Sequence, residues 1–282
     1  MRKVLLATTA LVAMTGVTAA NADIAISGYA EFVYDQPSNA DNTMASDGGI
    51  VIKATSTTDS GITFSAVNDM KWEGGSINDA YVQASGDFGT IKMGTSDTAL
   101  DSQDAAFTGR SLSIQGAGEV TGSLSTVLIG ADSTAFNYVS PSINGLQLVG
   151  SIDEANNRTD IGAKYSIGGV TLGYQTRSSA TDSTLVGAGV TLAGVTIQAA
   201  SVEHTTGSAK RKVQDIGFSY EMGDVTIAGH TSKATGTSTD KNAEIGVMYA
   251  LGGGATLRAT SYSNTVSSVD TTGVYSELRV SF

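Results

Sequence analysis

The chain runs to 282 residues, with 34 glycines, 2 prolines and no cysteine, 40% of its residues hydrophobic and only 15% charged. Without cysteine there is no disulfide framework, thiolate metal site or thiol nucleophile, and glycine with neither a triplet period nor proline is not collagen-like. Sixteen basic against 27 acidic side chains, a formal charge of −11, leave no concentrated basic face for a nucleic acid.

The first 22 residues read as a cleaved export signal. Arg2 and Lys3 precede an apolar stretch from Val4 to Ala19, and Ala20-Asn21-Ala22 has the small-x-small form of a signal-peptidase site. Residues 23–282 are then one mature domain, with no apolar run of about eighteen residues that could cross a membrane as a helix. Alternation of period two begins at once. Ile24, Ile26, Ala30 and Phe32 fall on one side, Ser27, Tyr29 and Glu31 on the other. Ile50-Ile52-Ala54, Ile161-Ala163-Tyr165, Val170-Leu172-Tyr174, Val195-Ile197-Ala199, Ile216-Phe218-Tyr220 and Ile245-Val247-Tyr249 repeat the pattern, each strand with one apolar and one polar face.

Short turns at 58–60, 86–89, 141–145, 168–169, 193–194, 223–224 and 252–254 alternate with longer polar loops at 35–47, 73–78, 95–131, 153–158, 179–183, 204–211, 234–241 and 264–271. Together they delimit sixteen strands. Tyr138, Tyr165, Tyr220 and Tyr249 each stand three residues before a short turn, the last three on the apolar face, where an amphipathic ring would meet lipid headgroups. The apolar face is mostly Ala, Val, Ile and Leu, which acyl chains can cover without a jigsaw core. The polar face carries Glu31, Lys53, Lys71, Lys92, Asp160, Lys164, Arg177, Asp215, Glu244, Arg258, Glu277 and Arg279. A sixteen-strand barrel is wide enough to hold water around them. Export, no apolar helix and sixteen alternating strands point to an all-β, antiparallel transmembrane barrel of the bacterial outer membrane.

Two motifs make this specific. Ala80-Tyr81-Val82-Gln83-Ala84-Ser85-Gly86-Asp87-Phe88-Gly89-Thr90-Ile91-Lys92-Met93-Gly94 resembles the strand-turn-strand signature of Gram-negative general porins of the alphaproteobacterial, Rhodobacter-like type. Tyr138-Val139-Ser140-Pro141-Ser142-Ile143-Asn144-Gly145-Leu146 is similar to a second porin hairpin, and the mature start Ile24–Tyr29 and the terminal Phe282 fit the same family. The resemblance implies a homotrimer of barrels whose third long loop folds inward, acids on the loop facing bases on the wall. Residues 95–131 are the candidate loop. Asp97, Asp101, Asp104 and Glu119 make it acidic, Arg110 opposes them, and Lys53, Lys71 and Lys92 stand on the wall. The implied activity is passive diffusion of small hydrophilic solutes, and the excess of acids with their concentration in residues 95–131 points to a mild preference for cations. The implied partners are outer-membrane lipid and the barrel-assembly machinery, which would read the strand ending at Phe282.

Other chemistries find little support. His204, read as a loop residue, and His230, on a polar strand face, are isolated, and there is no G-x-S-x-G, H-E-x-x-H or P-loop. No catalytic residues, cofactor or metal are expected; Asp35, Asp41 and Asp47 lack EF-hand spacing. A secreted β-rich adhesin would share the export signal and composition, but not a lipid-facing tyrosine girdle.

Overall fold

The computed structural model describes residues 22–72, 77–112, 114, 133–236 and 239–282; the export signal, read at 1–22, lies outside these except for Ala22. Sixteen strands follow one another: β1 (Asp23–Pro37), β2 (Thr43–Thr57), β3 (Thr63–Lys71), β4 (Ile77–Gly86), β5 (Gly89–Ser96), β6 (Ser133–Val139), β7 (Leu146–Asp153) and β8 (Arg158–Ile167). The second half comprises β9 (Val170–Ser178), β10 (Asp182–Leu192), β11 (Val195–Thr206), β12 (Ala209–Met222), β13 (Val225–Thr235), β14 (Asp240–Gly252), β15 (Ala255–Val266) and β16 (Val269–Ser281). Each pairs antiparallel with its sequence neighbours, and β1 pairs with β16, so the sheet closes on itself. Closure removes the unpaired edges that hydrocarbon could not satisfy.

At the seam Gly28 and Phe282 exchange both backbone hydrogen bonds at 2.9 Å. A Cβ on Gly28 would stand 2.9 Å from the Phe282 ring, so the missing side chain lets the last residue lie flat across the seam. The two faces sort as the alternation requires. Ile161, Leu172, Ile197, Ile216, Phe218, Ile245 and Val247 are exposed on the outside, with Tyr165, Tyr220 and Tyr249 beside the short turns. Val274, Leu278, Val280 and Phe282 continue that apolar wall on β16.

In two respects the strands depart from the sequence reading. The longer loops at 204–211 and 264–271 are mostly strand: β11 and β12 meet at Gly207-Ser208, and β15 and β16 at Ser267-Ser268, with φ of 59° at Gly207 and 51° and 67° at the two serines. The 35–47 loop shrinks likewise to the few residues between Pro37 and Thr43. Side chains there are mostly polar, with Met44, Val266 and Val269 out of any regular alternation, which erases the hydrophobic period while the backbone ladder continues, helped by cross-strand pairs such as Lys210 to Glu203 at 2.7 Å. His204 is therefore a β11 residue, its Nδ1 2.8 Å from Ser183 Oγ, and not part of a loop. The second departure lies inside the barrel.

Candidate functional site: the barrel interior and its long loop

The inward charges are not simply hydrated. Arg177 holds Asp160 with both ends of its guanidinium, at 2.8 and 2.9 Å, and Arg158 reaches Asp153 at 3.2 Å. Arg211 meets Asp240 at 3.2 Å and Arg258 meets Glu277 at 3.1 Å. Arg279 lies 3.1 Å from Glu31 with its guanidinium 4.0 Å over the Tyr29 ring. His230 Nδ1 is 3.3 Å from Glu244. All but Arg211–Asp240, which reaches across β13, join direct Cα partners on neighbouring strands, which meet because period two puts both on the same face.

A cluster of buried apolar side chains also faces inward. Leu185, Val202, Val213 and Ala234 occupy successive strands from β10 to β13, and they are grouped with Ala99, Leu100 and Phe107 of the segment after β5. That segment contains a single-turn helix, α1 (Asp101–Asp104), and a 3₁₀ turn, Gly109–Leu112. Polar side chains of the wall hold its backbone. Ala99 N–H donates to Asn137 Oδ1 at 3.1 Å and Ser151 Oγ at 2.8 Å. Gln175 Nε2 donates to the Leu100 carbonyl at 3.0 Å, Gln198 Nε2 to the Ala105 carbonyl at 2.9 Å, and Gly109 N–H to Asp215 Oδ1 at 3.1 Å.

Close approach is possible because the wall lacks side chains where the segment crosses it. A Cβ on Gly162 would stand 2.9 Å from Leu100, one on Gly187 2.6 Å from the Phe107 ring, and one on Gly189 2.7 Å from the Ala106 carbonyl oxygen. Gly173 lies directly under the Phe107 ring and Gly217 against Gly109. These glycines, with Asn137, Gln175 and Gln198, carry no catalytic motif and are not site candidates in the sequence reading, which takes Asp215 only as one of the polar-face charges. The available signal was a glycine at an inward position of β8, β9, β10 and β12, where a plain barrel needs none.

Among the sequence-derived site residues, Lys92, Asp97 and Asp101 line one cleft of about 420 Å³, together with Asp79, Gln83 and Asn137. Lys92 Nζ lies 4.8 Å over the Tyr81 ring. Burial pushes the Asp101 carboxyl above the ordinary carboxylate range, and the Lys92 ammonium draws it part of the way back. Asp104 is 2% exposed and faces the interior of the loop-wall contact. Lys53 is exposed and Lys71 half-buried, on the inward faces of β2 and β3 and away from that cleft. Arg110 belongs to the 3₁₀ turn, but its side chain, like the whole of Glu119, lies outside the described residues. No group of three or more His, Asp and Glu side chains suited to a metal occurs among the described residues.

Residues 7–281 match the family model described as Gram-negative porin. The chain belongs to the Gram-negative porin family. Its place is the outer membrane and its activity that of a channel. The solved structures it is similar to include a loop-deletion mutant of OmpT, an outer membrane protein of Vibrio cholerae, at 11% identity and a TM-score of 0.77 over 93% of this chain and 99% of that one. An engineered mutant of the Rh. blastica porin is 20% identical, with a TM-score of 0.76 over 92% and 100%. In vitro folded OmpT of Vibrio cholerae in its trimer form gives 11% identity and a TM-score of 0.72 over 93% and 99%. No curated protein matches the sequence. Membership of the porin family disposes of the adhesin alternative.

Proposed function

We propose that this porin passes small hydrophilic solutes and ions by diffusion with a mild preference for cations, without catalysis, and that its third loop narrows the pore. The observation that carries this reading is the cleft shared by Lys92, Asp97 and Asp101 where the loop leaves the wall. Carboxylates of the loop and an ammonium of the wall face one aqueous space. Such an arrangement orients polar solutes across the passage and raises the local cation concentration. Lys53 and Lys71 temper the acid from β2 and β3, with Arg110 and Glu119 contributing farther along the loop. The test is the reversal potential in a salt gradient. Asp97→Asn with Asp101→Asn should move it toward anions and Lys92→Gln the other way. A potential indifferent to the acidic pair would remove the constriction assignment.

The mature chain starts at Asp23, in keeping with β1 beginning there, and is delivered by the assembly machinery that reads the strand ending at Phe282. It works as a homotrimer. On the outward face of β1–β4 the small residues Ala30, Ala54, Ala66 and Ala80 stand among the exposed Ile24, Ile26, Phe32, Ile52, Phe64 and Val82, positions against which the side chains of a second copy would pack.

A further inference from the structure

The lysines of the barrel divide cleanly. Lys53, Lys71, Lys92 and Lys164, in β2, β3, β5 and β8, share the inward positions of their strands, whereas Lys210, Lys212, Lys233 and Lys241, in β12 to β14, all lie on the outward face. Parity fixes this: Lys210 and Lys212 alternate in step with Ile216 and Phe218, Lys241 with Ile245 and Val247, and Lys233 with Ile227, the Cα partner of Tyr220. All four are exposed.

Their height on the wall is equally defined. They stand at the rim that carries the long third loop, opposite the rim of short turns where Tyr220 and Tyr249 lie. From Tyr220 to Lys212, and from Tyr249 to Lys241, the strand climbs ~20 Å for a rise of ~3.4 Å per residue and a tilt of ~40°. The apolar band of such barrels is ~25 Å tall. The ammonium groups, extended upward on their stems, thus reach the headgroup layer of the outer leaflet.

The patch is also short of counter-charge from its own chain. Lys233 and Lys241 are direct Cα partners, a like-charge pair that destabilises the sheet locally. Glu203 bridges Lys210 at 2.7 Å. Among the described residues no carboxylate lies within 4.0 Å of the ammonium groups of Lys212, Lys233 or Lys241. A protein with an excess of eleven negative charges has gathered four cations on one outward area and set a single acid, Glu203, beside two of them, Lys210 and Lys212, leaving Lys233 and Lys241 facing each other.

We propose that Lys210, Lys212, Lys233 and Lys241 seat the phosphate of an anionic lipid headgroup in the outer leaflet. The inference rests on the chain being an outer-membrane barrel with its long loops outside, and is independent of how the pore selects ions. The bound lipid neutralises the Lys233–Lys241 repulsion, and the exposed Ile216, Phe218 and Ile245 below supply the surface for its acyl chains.

The test uses the full mature barrel refolded into phosphatidylcholine vesicles containing a trace of spin-labelled phosphatidic acid or spin-labelled phosphatidylcholine. Electron paramagnetic resonance then reports the fraction of each label immobilised at the protein. A preference for the phosphatidic acid of about fivefold per lysine engaged is expected, falling sharply at 1 M salt, where the screening length is ~3 Å. The combined change Lys210→Gln, Lys212→Gln, Lys233→Gln and Lys241→Gln should remove the preference, and the four Lys→Arg changes should keep it. Heat-modifiable gel migration checks that each barrel closes. Should the fourfold glutamine variant fail to close, Lys233→Gln with Lys241→Gln is read instead, and should lose part of the preference. No preference in the unaltered protein, or one that survives the glutamine changes, overturns the proposal, since lysines that only reach for water do not distinguish the two lipids.

Discussion

Replacing Phe107 by alanine would test how the long loop is held. Phe107 is fully buried, its ring lying over Gly173 and Gly187. Truncating such a ring costs about 3–5 kcal/mol, part lost transfer energy and part the void left behind. The nearest polar anchors, Gln198 to the Ala105 carbonyl and Gly109 N–H to Asp215, contribute only about 0.5–1.5 kcal/mol each. The loss exceeds what either flanking bond supplies, so the stretch from α1 to the 3₁₀ turn should leave the wall for a measurable fraction of the time. The sheet itself should persist, because its sixteen strand pairings involve no atom of Phe107. Single-channel recording in planar bilayers should then show a noisier open level with a higher mean conductance, and a protease added from the loop side should cut near residue 107 faster. Gel migration of unboiled samples should still report a closed barrel. Unchanged noise, conductance and cleavage in a closed Phe107→Ala barrel would refute the idea that this side chain pins the loop.

Ile245→Arg, on the outward face of β14, should destabilise the inserted barrel by about 2–4 kcal/mol in folding titrations into vesicles. Substitution at the inward neighbour Gly246 should act differently, since a Cβ there would come within 3.0 Å of Ile114 and disturb the loop. Arg258→Gln leaves Glu277, 3% exposed, without its 3.1 Å partner, and should lower the temperature at which unboiled samples lose their fast migration, by a stability loss of about 3–5 kcal/mol. The raised Asp101 pKa has a definite sign: its carboxyl takes up a proton at higher pH than a free aspartate, whose pKa is ~3.9. Cation preference should therefore begin to fall as pH is lowered while ordinary carboxylates remain charged, and Asp101→Asn should remove that early component of the reversal-potential titration. Asp104→Asn, at a site only 2% exposed, should reduce the thermal stability of the docked loop more than it moves the reversal potential.

Much of this architecture is written in the chain itself. Period-two alternation, the Gly-Gly and Ala-Gly turns and the tyrosines beside them fix the strand count and assign each side chain to water or lipid, because a strand has only two faces and hydrocarbon accepts only one kind. Ile216 and Asp215 could be assigned to opposite faces from their neighbours alone. The outer ends of β11, β12, β15 and β16 could not, since with mostly polar residues there the ladder is carried by backbone bonds that leave no regular hydrophobic period. Lys92, Asp97 and Asp101 could be nominated from the loop position after the porin-like hairpin, but that they share a cleft while Asp104 is buried depends on the path of the loop. That path is a tertiary matter. It is set by contacts between residues far apart in sequence: Phe107 on Gly173 and Gly187, Gly109 on Gly217, and Gln175 and Gln198 reaching backbone carbonyls. The lysine patch divides the same way. Parity with Ile216 and Ile227 assigns Lys212 and Lys233 to the outward face, but Lys210 and Lys241 fall in the stretches read as loops at 204–211 and 234–241, and only the register of β12, β13 and β14 carries the strands through them and sets Lys241 beside Lys233 and Lys212 on its diagonal, because strand pairing converts positions along the chain into neighbours across it.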